Sequence, residues 1–344
     1  MTTQPMKHTF SVVLCAYTEA RWDDLVEAIA SVRRQTLIPQ EIIVAVDHNP
    51  RLFARIQQHL PGVVVVENRE ARGLSGTRNS GSAAARGSHV AFLDDDAIAA
   101  PDWLARLSVA FAHPRASGAG GAIEPLWLGG RPAWFPSEFD WVVGCTYRGM
   151  HEMPATVRNL IGCNMAFRKE VFAAVGGFRI GRVGALSIGQ ENDETDFCIR
   201  LRATCPEAEL WYEPAAVVRH RVPASRATLA YFARRCFSEG LSKARLSRQV
   251  GQAHALSAER AYTMRTLPQG VLRGFGDALL RRDPSGILRA GAIGAGLAIT
   301  AAGYLMGGVS QRIAGLFSAG MFARKHGKAP TEIVAADEPI TSAH

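Results

Sequence analysis

The sequence predicts an α/β fold: a mostly parallel central sheet followed by a C-terminal helical extension that associates with a membrane. Three observations carry this. Short uncharged runs rich in β-branched residues alternate with segments of helical period, beginning with Phe10 to Ala16 and Ile42 to Val46, and such alternation builds parallel strands joined by right-handed crossovers. Carboxylates fall just after these runs, where an open α/β sheet receives its ligand. Far downstream, Ala290 to Val309 is a stretch of 20 residues without a charge, about the span of a bilayer core.

Phe10 to Ala16 (FSVVLCA) reads as the first buried strand, with Tyr17, Thr18 and Glu19 at its carboxyl end. A helix follows from Trp22 to about Gln35. Asp23 and Asp24 stand in its first turn and Arg33 and Arg34 near its last, the order the helix dipole favours. Pro39 breaks the chain before the second strand, EIIVAV, which ends at Asp47. A helix from Leu52 to Leu60 and a third strand from Val63 to Val66 complete this half. Gly73 and Gly76 then allow a tight loop, and a small-residue helix runs from Thr77 to Ala85. With Arg72 and Arg78 beside it, this loop suits a phosphate or nucleotide contact. It lacks the ending of a Walker loop, and it does not follow the first strand as a dinucleotide fingerprint would.

The fourth strand, Val90 to Leu93, runs into Asp94, Asp95 and Asp96. Three carboxylates ~3.3 Å apart along the chain repel one another unless a cation neutralises them. Successive side chains alternate in direction, so Asp94 and Asp96 share one side and Asp95 takes the other. Two carboxylates on one side make a hard-oxygen site for magnesium or manganese, which also takes substrate phosphate oxygens. The bland alternative is a solvated acidic turn, or a cap for the helix beginning near Pro101. Thr18 and Glu19, Asp47, and the aspartate triplet come from three separate strand ends, and this convergence favours the metal.

After a helix to about His113 and a strand from Gly118 to Glu124, the segment Trp127 to Tyr147 is rich in aromatics, including Trp134 and Trp141. It is either a satellite core or a platform for a sugar ring. Leu160 to Lys169 is strand-like and contains Asn164. A glycine-punctuated loop then leads to Gln190 to Leu201, where Glu191, Asp193, Glu194 and Asp196 crowd the start of a helix. They serve either the helix dipole or a site. A last strand, Leu210 to Val218, ends in Arg219-His220-Arg221.

These pieces, in this order, resemble the family 2 glycosyltransferases. The matching stretches are SVVLCAYTE, IIVAVD, RGLSGTRN, VAFLDDDA, GCNMAFRKEVF with GGF, and DETDFCIRLR. Together they cover roughly Phe10 to Val222. The resemblance implies the Rossmann-like GT-A fold and inverting transfer of a sugar from a nucleotide-diphosphate donor, a UDP-sugar. It implies donor contacts at Thr18, Glu19, Asp47, Arg78, Asp94 and Asp95, with Asp47 facing the base. It implies a divalent metal, Mn or Mg, on Asp94 and Asp96 with His220; separately, the acceptor region is expected at Trp134, Trp141, Asn164 and Asp196. The family's late motif reads Glu-Asp, a spacer and an acid, whereas Asp193 and Glu194 exchange the first two types. That exchange leaves the base open between the two, with Glu191 a further candidate; Glu194 is the expected base and Asp193 its rival. More narrowly, the chain is similar to prokaryotic glucosyl-dolichyl-phosphate glucuronosyltransferases, which implies UDP-glucuronate as donor, a lipid-linked acceptor and a role in cell-envelope glycans.

Two other classes compete. A nucleotidyltransferase would need a basic phosphate-activating loop after the first strand, where Tyr17-Thr18-Glu19 stands instead. A non-catalytic sugar- or lipid-binding scaffold would tolerate loss of the carboxylates.

The net charge of +8 is unevenly placed. From Arg219 onward 18 Lys and Arg face 7 Asp and Glu, a surplus of +11, against −3 for the first 218 residues. A basic tail on a mildly acidic body argues against nucleic acid and suits an anionic membrane surface. Arg226 to Ala244 reads as a basic amphipathic helix. Ala290 to Val309 is a transmembrane segment or an apolar hairpin with Gln311 to Ala323, and its Gly303/Gly307 spacing suits helix pairing. Six cysteines without a CxxC pair indicate free thiols in a reducing compartment. Met1 to Thr9 has no apolar core of signal-peptide length. The expected organisation is a flexible N-terminus at 1–9, a GT-A glycosyltransferase domain at 10–222, a basic helical region at 223–327 and a disordered tail at 328–344. The enzyme is expected on the cytoplasmic face of the cell membrane.

Overall fold

The computed structural model describes residues 8–180, 193–250 and 260–325. Glu191, residues 1–7 of the N-terminus expected at 1–9, and the tail expected at 328–344 lie outside the described residues.

Among the described residues nine strands form one sheet, in the spatial order Val64–Glu67, Glu41–Val46, Phe10–Ala16, His89–Asp94, Asn164–Arg168, Ala116–Trp127, Glu209–Val222 and Ala97–Ala99, with Ala155–Thr156 also paired to Glu209–Val222. Strands β1 (Phe10–Ala16), β2 (Glu41–Val46), β3 (Val64–Glu67) and β4 (His89–Asp94) are mutually parallel. Helices α1 (Trp22–Arg33), α2 (Pro50–His59) and α3 (Leu74–Ala84) supply the crossovers. The strand period of two divides the core. Phe10, Val12 and Leu14 of β1, with Val44 and Leu93, pack on one face beside Leu25, Ile29 and Trp103. Val13, Ile43, Val90 and Phe92 pack on the other, beside Phe167, Phe178 and Phe197.

The second half is mixed rather than mostly parallel. Short β5 (Ala97–Ala99) and α4 (Trp103–Ala110) precede β6 (Ala116–Trp127). The chain then takes a long excursion through a 3₁₀ segment at Ser137–Val143 and β7 (Ala155–Thr156). It re-enters as β8 (Asn164–Arg168), antiparallel to both β4 and β6. Helices α5 (Lys169–Val175) and α6 (Asp193–Thr204) follow. The 14-residue β9 (Glu209–Val222) runs parallel to β6 and antiparallel to β5. Because Ala97 pairs with His220, this last strand carries His220 to the aspartate triplet.

The C-terminal region is not a separate layer. Helices α7 (Leu229–Val250), α8 (Leu267–Leu280) and α9 (Ser285–Lys325) follow. Phe232, Cys236, Leu267 and Ile293 are buried in the same core cluster as β1 and β4, so packing crosses the expected boundary at 222/223. Added side-chain atoms at Gly303 and Gly240 would collide with the backbones of α7 and α9 respectively, which is how the two helices approach so closely. The small-residue spacing at Gly303 and Gly307 does pair helices, and the partner is α7. The hairpin expected with Gln311 to Ala323 is not formed, because α9 continues through that segment without a break. The helical turn lies upstream, between α8 and α9.

Candidate active site

The site begins at the end of β4. The alternation that buries Phe92 on the α3 side carries Asp94 to the same side, over Arg78 of α3 at 4.0 Å. The turn that follows brings Asp96 to His220, with Oδ1 3.2 Å from Nε2. One ligand atom each from Asp94, Asp96 and His220 lies within 4.8 Å of the others. Two carboxylate oxygens and an imidazole nitrogen suit a divalent cation such as manganese. Nδ1 of His220 is buried without a partner, while Nε2 faces the Asp96 carboxylate, so a metal between them would take the place of the Nε2 proton. Burial opposes ionisation of Asp96, but His220 and Arg21 hold its carboxyl at about 2. It is therefore anionic when a metal arrives.

The strand ends at Asp94, and Asp95 is placed by the turn that follows rather than by strand alternation. Its Oδ1 accepts from Arg21 at 2.8 Å, and the same guanidinium reaches Asp96 at 3.2 Å. Burial pushes Asp95 up to about 7, and it does not line the cavity. Its place is inside the turn, against Arg21, rather than at a donor contact.

Across the cavity stands the start of α6. Arg78 is almost fully buried and donates to Asp193 at 2.9 Å, with Glu194 at 3.9 Å. Gly162 leaves room for this guanidinium, since any side chain there would meet it. The Ser75 hydroxyl donates to the second oxygen of Asp193 at 2.9 Å, and the Glu194 backbone N–H to the first. Burial works against the charge of Asp193, yet Arg78 and these donors keep its carboxyl below the usual range. Glu194 behaves oppositely: burial and then the neighbouring Asp193 charge raise it well above the usual range. Two adjacent carboxylates are thus driven apart in acidity, the pattern that separates a fixed anion from a proton acceptor.

The remaining expected residues divide by position. Asp47 directly follows β2, where its oxygens accept from Asn68 at 2.8 Å and the Gly73 N–H at 3.0 Å. The Thr18 hydroxyl accepts from Ala20 N, and Glu19 opens the short helix that follows. These three gather at the ends of β1 and β2 but do not line the large cavity. Trp141 and Asp196 do line it. Trp141 donates to the Tyr262 hydroxyl at 3.0 Å, and Asp196 is held by Arg200 and Arg179. Asn164 and Trp134 do not fit an acceptor contact. Asn164 is fully buried, accepting from Trp103 and donating to the carbonyls of Ala122 and Ala216. Its role is to tie β8 to its neighbours. Trp134 packs edge-on against Phe232 in the aromatic core. Arg21, Ser75 and Gly162 were not foreseen. A lone arginine, serine or glycine carries no spacing signal, and only the folded contacts reveal what each one touches.

The cavity measures about 1610 Å³ and runs from the aspartates past Glu194 to α7 and α9. The sequence model of Glycosyl transferase family 2 matches residues 11–176. A glucosyl-dolichyl phosphate glucuronosyltransferase of Haloferax volcanii is 36% identical over 239 residues, 68% of this chain and 75% of that protein. The succinoglycan biosynthesis protein ExoM of Rhizobium meliloti is 26% identical over 251 residues, 71% of this chain and 76% of that protein. A mannosyltransferase from Pyrobaculum calidifontis, solved with GDP-Man and Mn2+, covers 85% of this chain and 87% of its own, with a TM-score of 0.51 at 18% identity. This last likeness speaks to the fold.

Proposed function

Because the chain belongs to glycosyl transferase family 2, we propose that it transfers a sugar, with inversion, from a UDP-sugar to a lipid-linked acceptor of cell-envelope glycan synthesis. The observation that carries this is the meeting, across one cavity, of the Asp94/Asp96/His220 group with the Arg78/Asp193/Glu194 group. A divalent ion, manganese or magnesium, would be held by Asp94, Asp96 and His220. When bound it supplies positive charge to the leaving diphosphate. Arg78 stands between the two groups and adds a fixed cation there.

Glu194 takes the proton of the acceptor hydroxyl as that oxygen attacks the anomeric carbon and the bond to the diphosphate breaks. Its raised proton affinity makes it the stronger base of the pair. Asp193, fixed by Arg78 and Ser75, adds its charge to the burial that raises that affinity. Asp47, Thr18 and Glu19 lie at the strand ends where a nucleoside would extend. UDP-glucuronate is the leading donor, supported by the name of the 36% identical relative, and that name also supports a dolichyl-phosphate-type acceptor.

The enzyme works on the cytoplasmic face of the cell membrane. Six free cysteines accord with a reducing side. Leu272, Phe275, Leu279 and Leu280 of α8 and Ile287 and Leu288 of α9 are all more than half exposed, a face that suits lipid. Among the described residues one helix is long and apolar enough to cross a bilayer, Ser285–Gly308. Its other face, however, is seated on Phe139 and Phe232 through Gly296 and on α7 through Gly303. Crossing would take α7 along with Arg234, Arg235 and Lys243, so the hairpin of α8 and α9 lies on the membrane rather than through it. The test is a panel of nucleotide sugars with the purified full chain and manganese. Release of UDP from one UDP-sugar is expected, and no hydrolysis of any donor would overturn the reading.

A further inference from the structure

The cavity has a second half that the chemistry above does not use. One of its walls is the face of α7, where Tyr231, Arg235, Glu239 and Lys243 recur at the four-residue spacing of one helix face. Among the described residues this wall presents Arg235, Lys243, Arg245 and Arg260 to the cavity, with Glu239 as the carboxylate between them. Lys243 is 3.1 Å from Glu239 and its side chain is 23% exposed. Arg235 is half-buried, with Nε directed at the Val142 carbonyl. Whatever partners these cations already have, their remaining N–H donors on one partly dehydrated wall can be shared with an anion through charge-assisted hydrogen bonds. The adjoining wall comes from α9 and is apolar: Leu297, Ala301 and Leu305 line the same cavity. Leu305 and Met306 continue outward, 67% and 58% exposed. A cationic wall beside an apolar one, open along an apolar helix, matches a molecule with an anionic head and a hydrocarbon tail.

We propose that the α7 wall binds the phosphate of a lipid-phosphate acceptor, with Lys243, Arg245 and Arg235 as its cations and the α9 face around Leu297 and Leu305 as the groove for its chain. This rests on the transferase reading and gives its acceptor a binding site. Holding the phosphate at α7 extends the remainder of the acceptor along the cavity toward Glu194. Recognition by phosphate and chain together separates such a lipid from a free phosphate, which would gain nothing from α9.

The test is equilibrium binding of farnesyl phosphate, farnesol and inorganic phosphate to the full chain in detergent micelles. Farnesyl phosphate should bind well and the other two at least tenfold more weakly. Lys243→Gln and Arg245→Gln should each weaken farnesyl phosphate binding about tenfold, the usual loss for one charge-assisted contact. Arg51→Gln, on the exposed side of α2, should leave it unchanged. Two results would overturn the proposal. One is unaltered binding of farnesyl phosphate by both folded cavity variants. The other is inorganic phosphate binding as tightly as farnesyl phosphate. Manganese-dependent UDP binding to the unaltered chain, measured in the same preparation, reports separately on the transferase reading. If UDP binds and farnesyl phosphate does not, only the lipid site fails.

Discussion

At the residue scale the account turns on Glu194 and Asp193. Glu194→Gln should lower the transfer rate by ~10²–10⁴, the contribution of a positioned base, while donor affinity stays near normal. Asp193→Asn should act differently, because it removes the partner of buried Arg78. Both donor binding and stability should fall. The pH dependence follows from the direction of the Glu194 shift. The base must be unprotonated to act, and burial with Asp193 raises its proton affinity, so the rate should climb through a limb above the ordinary glutamate range. That limb should vanish in Glu194→Gln. The linked stability has the opposite sense. A carboxyl raised in the folded state favours folding when protonated and opposes it as pH rises past the unfolded value. Glu194→Gln should therefore melt no lower than the unaltered chain at pH 8, and a clear loss of stability there would show that its charge is structural. The carboxylates themselves were legible in the sequence, since runs of like charge at strand and helix ends are costly without a purpose. Arg21 was not, because nothing in the order of residues tells that its side chain turns back on Asp95 and Asp96.

At the scale of elements, the parallel half of the sheet was legible because each strand is a short uncharged run with a crossover helix behind it. The mixed half was not. The direction of β8 depends on where the 3₁₀ segment and β7 lead the chain, and that route is set by tertiary packing of Phe135, Phe139 and Trp134 rather than by local pattern. Asn164 illustrates the cost: a polar residue in a motif reads as a contact for substrate, yet its amide donates to two strand carbonyls and accepts from Trp103 of α4. The pairing of α7 with α9 gives a further prediction. A side chain at Gly303 would meet the Phe237 carbonyl and the Gly240 backbone, neither of which yields by changing rotamer. Gly303→Leu should destabilise the chain by about 1–3 kcal/mol, the range for overpacking, in a urea titration. An unchanged midpoint would mean that the two helices are not packed this way.

At the scale of the molecule, a basic C-terminal region was legible from charge, but its union with the catalytic unit was not. Composition shows a surplus of cations; it does not show that Gly296 seats α9 on Phe139 and Phe232. Removing everything after residue 255 should therefore strip cover from that aromatic core and yield an aggregating product rather than a soluble catalytic fragment. Gel filtration of the truncated chain checks this, and a folded monomer would contradict it. The full chain should sediment with membranes and resist a high-salt wash, because apolar burial of α8 and α9 adds to about 1 kcal/mol per basic residue near an anionic surface. The most direct measurement of the central claim is transfer itself. Full-length protein is incubated with vesicles carrying a lipid-phosphate-linked sugar, a radiolabelled UDP-sugar and manganese, and label is counted in the lipid extract. The account predicts lipid-bound label that disappears with EDTA and with Asp96→Asn. Equal label in EDTA, or full transfer by Asp96→Asn, would contradict it.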